Sequence, residues 1–289
     1  VTGATVVTFP SGSLLETAHV IGVHPDDSGA VVVLDRTPFH PVDHTWPDQP
    51  GDRGTLRVAE VEIAVTEAVM AAVSDEGEVA IGAAIPVKRG AEGWTWSVGH
   101  RVDAVPAALA AGAQVEATVD AAYRAGLSRG HTACHLASLA LDLAVADLWR
   151  KDPGSDALGN PDFEGRANQT SVIGPDSAVD EYRLGKSLRK AGFDTEGLAA
   201  TLAEREERMN AQLAAWIASA APSRIEVEGE SIVDRRRWVC ELPEGTASIL
   251  CGGTHASSLA EFASIRVSLQ LSEQLLVMTT TAVPAGSPA

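Results

Sequence analysis

Short apolar runs broken by Gly, Pro and Asp fill the first hundred positions. Ala30-Val31-Val32-Val33-Leu34 is a continuous apolar run bounded by turn residues, and Val61-Glu62-Ile63-Ala64-Val65 alternates. Residues 55–58, 78–85 and 94–98 continue the series. Short strands at this spacing predict a small barrel or sandwich over residues 1–105.

After Val105-Pro106 the pattern changes. Residues 115–125 carry apolar positions at helical spacing, and 129–150 read as a longer helix that Pro153 and Gly154 stop. Residues 152–178 are rich in Gly, Pro, Asp and Asn and read as loop. Two helices are expected near 179–190 and 195–220, followed by strands at 225–227, 237–242, 248–250, 263–269 and 275–281, then a frayed tail from Pro284. The fold class expected is therefore α+β. A β-barrel domain over 1–105 precedes an α+β domain over 106–289.

Composition adds exclusions. With 45% hydrophobic and 21% charged residues the chain has an ordinary globular balance. It has no apolar run long enough to span a membrane. The start, with Val at position 1, lacks the basic and apolar stretches of a signal peptide. Three cysteines are too few for a disulfide framework, which points to a reducing cytoplasm and makes a Cys near a His a possible metal ligand. A formal net charge of −17 argues against broad nonspecific nucleic-acid binding, so DNA is not expected as a partner. Two basic stretches remain as patches for one structured RNA or as solvated surface: Arg235-Arg236-Arg237, and Arg183, Lys186, Arg189 and Lys190.

Candidate chemistry sits in two short motifs. His131-Thr-Ala-Cys-His135 places two imidazoles one helical turn apart on one face. Cys251-Gly-Gly-Thr-His255 adds a thiolate and a third imidazole on a bend that its glycines permit. Mixed nitrogen and sulfur donors suit Zn2+, in a closed structural site or in one that opens to water or substrate. Cys134 and Cys240 read as core residues. No acidic residue stands beside either motif in the manner of a metalloprotease base, so no general base is assigned.

Together these motifs resemble the paired metal motifs of alanyl-tRNA synthetase editing domains and of the free-standing AlaX-type trans-editing proteins. The segment from Val31 to Pro41, Val-Val-Val-Leu-Asp-Arg-Thr-Pro-Phe-His-Pro, followed by Gln49-Pro-Gly-Asp-Arg-Gly54, is similar to the barrel motif that precedes the editing domain in that family. Glu204-Arg-Glu-Glu-Arg-Met-Asn210 resembles a family helix between the metal motifs. The matches run in family order from about residue 31 to 255, which leaves no room among them for an aminoacylation domain.

The resemblance implies a zinc-dependent aminoacyl-tRNA deacylase that receives the 3′ end of a mischarged tRNA. By the same resemblance His131, His135, Cys251 and His255 match the zinc ligands. Thr37 matches a threonine that contacts the hydroxyl of a bound serine, and Gln49 matches a glutamine facing the pocket. One segment departs from the family. Where two or three glycines usually precede the glutamine, this chain has Asp43-His44-Thr45-Trp46-Pro47-Asp48. That bulk makes threonine or a modified β-hydroxy amino acid such as fluorothreonine an alternative to seryl-tRNA(Ala). A tRNA-end binding protein with structural zinc, and a zinc hydrolase of small amino-acid esters, are the rival readings. The sequence does not reveal the oligomeric state.

Overall fold

The structure is a computed structural model that describes residues 3–26 and 29–287. It divides into two compact units. Unit 1 is Val1–Arg124 with Ile225–Arg236 and Gly252–Thr254; unit 2 is Ala125–Arg224 with Arg237–Cys251 and His255–Ala289. The architecture is mixed α and β and dominated by sheet.

The strands of the first stretch of unit 1 are β1 (Val6–Val7), β2 (Leu15–Asp26), β3 (Gly29–Leu34), β4 (Arg36–Thr37), β5 (Gly54–Val58), β6 (Val61–Val65), β7 (Glu67–Ser74), β8 (Val79–Ile81), β9 (Trp94–Val102) and β10 (Gln114–Val119). Eight of them form one sheet in the order β6-β5-β10-β2-β3-β9-β7-β8. β3 lies inside the sheet, and Val31, Val32, Val33 and Leu34 are wholly buried, which is why its sequence is a continuous apolar run without alternation. The barrel expected from the sequence does not close. β6 and β8 end the order, and among the described residues no ladder joins them.

Residues 115–125 were expected to be helical, yet β10 runs through Val119 and the helix begins only at Ala121. Val115, Ala117 and Val119 are buried while Gln114 and Thr118 are exposed, a period of two. The helical spacing came from reading this strand together with the first turn of the helix behind it.

That helix is α1 (Ala121–Ala144), and the division between the units falls inside its first turn. Asp120 caps it, its carboxylate accepting the Tyr123 N–H at 3.0 Å. Then come α2 (Glu164–Ala167), β11 (Asn168–Gly174), β12 (Ser177–Arg183), α3 (Lys186–Ala191), α4 (Thr195–Ala200), α5 (Leu202–Ala218), β13 (Ser223–Val227), β14 (Arg236–Leu242), β15 (Gly245–Leu250), β16 (Phe262–Ser272) and β17 (Leu275–Pro284). The last two residues of the expected tail lie outside the described residues.

Within unit 2, β11-β12-β17-β16 form an antiparallel sheet and β14 pairs with β15 as a hairpin. β12 stands where a helix was expected. Its inward positions are Ala178, Asp180 and Tyr182, whereas Val179 is exposed. A buried acid and an exposed valine hid the alternation. The Cys134 thiol donates to the Asp180 carboxylate at 3.4 Å, so this acid is held by the helix above it. α1 comes very near the β11–β12 turn. A Cβ on Gly130 would stand 2.2 Å from the Gly174 carbonyl oxygen, so the contact requires glycine.

α5 finishes the sheet by a different device. β16 is an edge strand, and edge strands leave unpaired peptide groups. Asn210 satisfies both peptide groups of Val267, at 2.9 and 3.0 Å, and Glu206 accepts the Leu269 N–H at 2.7 Å. Two polar side chains of the helix thus substitute for a further strand. Arg205, also on α5, is buried and donates to the Ala144 carbonyl at the C-terminus of α1. It therefore ties the far end of the histidine-bearing helix to the rest of unit 2.

Candidate metal centre and its surroundings

His131, His135, Cys251 and His255 converge in unit 2. Their donor atoms all lie within 4.8 Å of one another, forming a group that could hold a metal ion. α1 supplies the first two from successive turns of one face. Cys251 follows β15 directly, and His255 comes four residues later on the bend. The Cys251 Sγ is 3.4 Å from His131 Nε2 and 3.2 Å from His255 Nε2. A tetrahedral zinc with bonds of about 2.0–2.3 Å separates its ligand atoms by roughly 3.3–3.6 Å. The 3.4 Å spacing falls in that range and the 3.2 Å one just below it, while the group as a whole, within 4.8 Å, would draw in around an ion.

Two further observations fit a metal. His135 Nε2 is buried and has no hydrogen-bond partner among the described residues. A buried imidazole nitrogen in that state forfeits hydration with no return unless something binds its lone pair. The two α1 imidazoles are also held neutral, as metal ligands must be. Burial takes His131 down to about 4 and pushes His135 well below the ordinary histidine value, with the neighbouring His131 adding to the effect.

Residues that the sequence reading did not single out shape this centre. The Thr132 hydroxyl oxygen accepts the Ala256 N–H at 3.0 Å and sits 3.2 Å from His255 Nδ1. With Nδ1–H donating to this hydroxyl, the Nε2 lone pair faces the group, which is the tautomer a metal ligand needs. The buried Trp238 indole packs beside His135, with ring centroids 5.2 Å apart, and beside His255 at 5.7 Å. Thr132 lies inside the first motif, and only its position between two ligand candidates could have drawn attention to it. Trp238 lies far from both motifs in sequence. Cys134 and Cys240 are buried as expected, and burial pushes the Cys240 thiol up to about 11.

Thr37 and Gln49 belong to unit 1. Thr37 is fully buried. His100 Nδ1 lies 2.9 Å from the Val32 carbonyl, which can only accept, so Nδ1 carries the proton and Nε2 accepts from the Thr37 hydroxyl at 2.7 Å. Burial holds His100 down to about 4, consistent with that neutral tautomer. The Thr37 oxygen also accepts the Phe39 N–H. Gln49 is buried too, and its amide binds Thr254 twice. It donates to the Thr254 hydroxyl and accepts the Thr254 N–H, both at 3.0 Å. Thr254 immediately precedes His255 in the chain, so Gln49 restrains the backbone of the second metal motif. Behind these residues the buried Arg124 and Asp52 form an ion pair, and the Arg124 guanidinium also donates to the Pro38 carbonyl at 2.8 Å.

The departing segment is well anchored. Asp43 accepts the N–H groups of Thr45 and Trp46, and Arg89 donates to its other oxygen at 2.8 Å. His44 Nε2 donates to the Val87 carbonyl at 2.9 Å, and its ring lies against Trp96. Trp46 is 47% exposed. Burial pushes Asp48 up to about 6, while the Gln49 N–H bond to its carboxylate works in the other direction. Of the two basic stretches, the first is not uniformly solvated, because Arg236 is buried and donates to the Ile232 carbonyl at 3.0 Å.

No family model matches the chain. Among curated proteins, it is 26% identical over 263 residues to the alanine–tRNA ligase of Bifidobacterium longum, which covers 86% of this chain and 25% of that ligase. The alanine–tRNA ligase of Kineococcus radiotolerans is 26% identical over 234 residues, covering 80% of this chain and 21% of that ligase. The chain thus spans about a quarter of the length of the curated relatives it matches. No helix among the described residues is long and apolar enough to cross a membrane.

Proposed function

We propose that this protein is a trans-acting aminoacyl-tRNA deacylase that uses zinc to hydrolyse the ester of a mischarged tRNA. Ser-tRNA(Ala), or a tRNA carrying threonine or a β-hydroxy relative such as fluorothreonine, is the substrate in this reading. The observation that carries it is the convergence of four zinc-type donors within 4.8 Å, in a chain distantly similar over most of its length to alanine–tRNA ligases.

His131, His135, Cys251 and His255 would hold the ion. Bound zinc supplies a Lewis acid for an ester carbonyl or lowers the pKa of a water molecule. The protein's own part is positional. Burial keeps His131 and His135 unprotonated, Thr132 orients His255, and Gln49 restrains Thr254. Thr37 is the candidate contact for a substrate hydroxyl. Such a contact would compete with His100 for the Thr37 hydroxyl, which gives a physical route to selectivity for a β-hydroxyl group.

The test is a panel of aminoacyl-tRNAs, including seryl, threonyl, glycyl and β-substituted analogues, assayed for amino-acid release by zinc-loaded protein. Release from at least one member is expected, with none from His131→Ala. No release from any member, or full turnover by a variant verified to be zinc-free, overturns the proposal. A second reading has its own support. Four protein ligands complete a tetrahedron, which is the usual form of a structural zinc site. On that reading the protein binds the tRNA end without cleaving it, and the panel would show binding without release.

A further inference from the structure

Unit 2 gathers cations that lie far apart in the sequence. The chain has four lysines, and three of them are Lys151, Lys186 and Lys190. Lys186 and Lys190 stand one turn apart on α3, on one face. The segment after α1 lies against the end of that helix. Trp149 bridges to Phe193, the Arg150 N–H donates to the Gly192 carbonyl at 2.9 Å, and the Lys151 ammonium donates to the Lys190 carbonyl at 3.2 Å. Gly192, at a φ of 109°, makes the approach possible, because a Cβ there would stand 2.9 Å from the Lys151 Cβ.

The resulting surface is cationic. Lys151, Arg183, Lys186, Arg189 and Lys190 are all exposed, and no Asp or Glu occurs between Leu184 and Phe193. Arg150 beside them is 75% exposed and pairs with Asp194. A cleft of about 470 Å³, lined by Trp149, Arg150, Lys151, Asp152, Pro153 and Gly159 among others, adjoins them, with Asp152 its one acidic residue. Elsewhere the chain is strongly acidic, with a net charge of −17. A polyanion is therefore repelled by most of the surface and attracted here, which orients its approach.

Resting on the deacylase reading, we infer that this surface docks the phosphate backbone of the RNA duplex next to the 3′ end whose ester reaches the metal centre. From His135 to Ala144, α1 takes nine steps, about 14 Å of rise, and Arg150 lies six residues further on. A short single-stranded end bridges that gap and leaves the duplex phosphates at the lysines. Lysine is apt here, since backbone phosphates need charge and not base readout.

The decisive variant is Lys151→Gln/Lys186→Gln/Lys190→Gln, whose three changes are on the surface and whose folding is checked by circular dichroism. Its control is Arg57→Gln/Arg224→Gln/Arg266→Gln, which removes the same charge outside the patch. Direct binding of uncharged tRNA is measured across salt concentrations, together with kcat and KM. The lysine variant should lower the slope of log affinity against log salt by about two to three. It should raise KM at least roughly tenfold near 0.1 M salt and leave kcat unchanged. The control should change none of these. An unchanged slope in the lysine variant, or an equal loss in the control, overturns the surface. Wild-type protein that binds tRNA through these lysines but deacylates nothing keeps the surface and overturns the deacylase. Active wild-type protein whose lysine variant behaves identically does the reverse.

Discussion

The Thr37–Gln49 region of unit 1 is built from buried polar side chains, and the metal centre of unit 2 from half-buried ones around the buried His131; their hydrogen-bond accounts differ too. Around Thr37 and Gln49 the two side chains are satisfied internally, although His44 Nδ1 nearby has no hydrogen-bond partner among the described residues. The Thr37 hydroxyl serves His100 and Phe39, and both ends of the Gln49 amide serve Thr254. In unit 2 the donor atoms converge on one another, and His135 Nε2 has no hydrogen-bond partner. A buried lone pair without a hydrogen is a cost that only an added ligand offsets. The Thr37 and Gln49 side chains have their partners already, whereas the second region could hold an ion.

The largest break in this comparison comes from the ligands. Cys251→Ala and His131→Ala should each lose stoichiometric zinc, measured by elemental analysis, and lose amino-acid release by about a thousandfold or more, the magnitude seen when a whole catalytic group is removed. Retention of zinc by both variants would remove the centre from the argument. A smaller effect is expected at Thr132. Thr132→Val strips the acceptor from His255 and from the Ala256 N–H, and zinc affinity by chelator competition should fall about 10–100-fold. An unchanged affinity would mean that His255 is oriented by other contacts.

Changes in unit 1 should act first on stability. Gln49→Leu leaves the buried Thr254 N–H without its acceptor and should cost about 1–3 kcal/mol in denaturant unfolding. It should also lower kcat more than it raises KM, because the Cys251–His255 bend loosens. Thr37→Val keeps the shape and removes the donor to His100, for about 1 kcal/mol. If Thr37 reads the substrate, this variant also loses its preference for β-hydroxylated esters, and equal selectivity before and after would exclude that role.

The smallest expected signal is in pH. His100 is buried neutral, with its pKa lowered to about 4 from an ordinary 6.5. Its neutral form is what folding favours, so its contribution is complete above about pH 6.5 and is lost as pH falls toward 4. His100→Gln should flatten that part of the stability curve measured by thermal unfolding. An identical curve would assign the acid sensitivity to other groups.

Some elements were readable because their residues carry their own geometry. Two histidines four apart are co-facial on any helix, and β3, β5, β6 and β14 to β17 were expected close to where they stand. Others were masked. β12 turns Asp180 inward and Val179 outward, so its pattern contradicts its burial. β7, Glu-Ala-Val-Met-Ala-Ala-Val-Ser, offers no alternation because six of its eight residues are buried. β2 extends over twelve residues through His19, His24 and Pro25, none of which advertises a strand.

By itself, then, the sequence determined the chemistry on offer: three imidazoles and a thiolate at local spacings, glycines that let the second motif bend, and an acidic chain with a few concentrated cations. Spacing within a motif is a matter of local backbone geometry, which neighbouring residues set. Only the tertiary structure decided that the two motifs, about 120 residues apart in the chain, share one point in space. It also decided that Thr132 and Trp238 border that point, that Gln49 holds Thr254, and that Lys151 meets α3. Those are long-range contacts, chosen by which buried faces and hydrogen bonds can be satisfied at once, and no window of the sequence contains that choice.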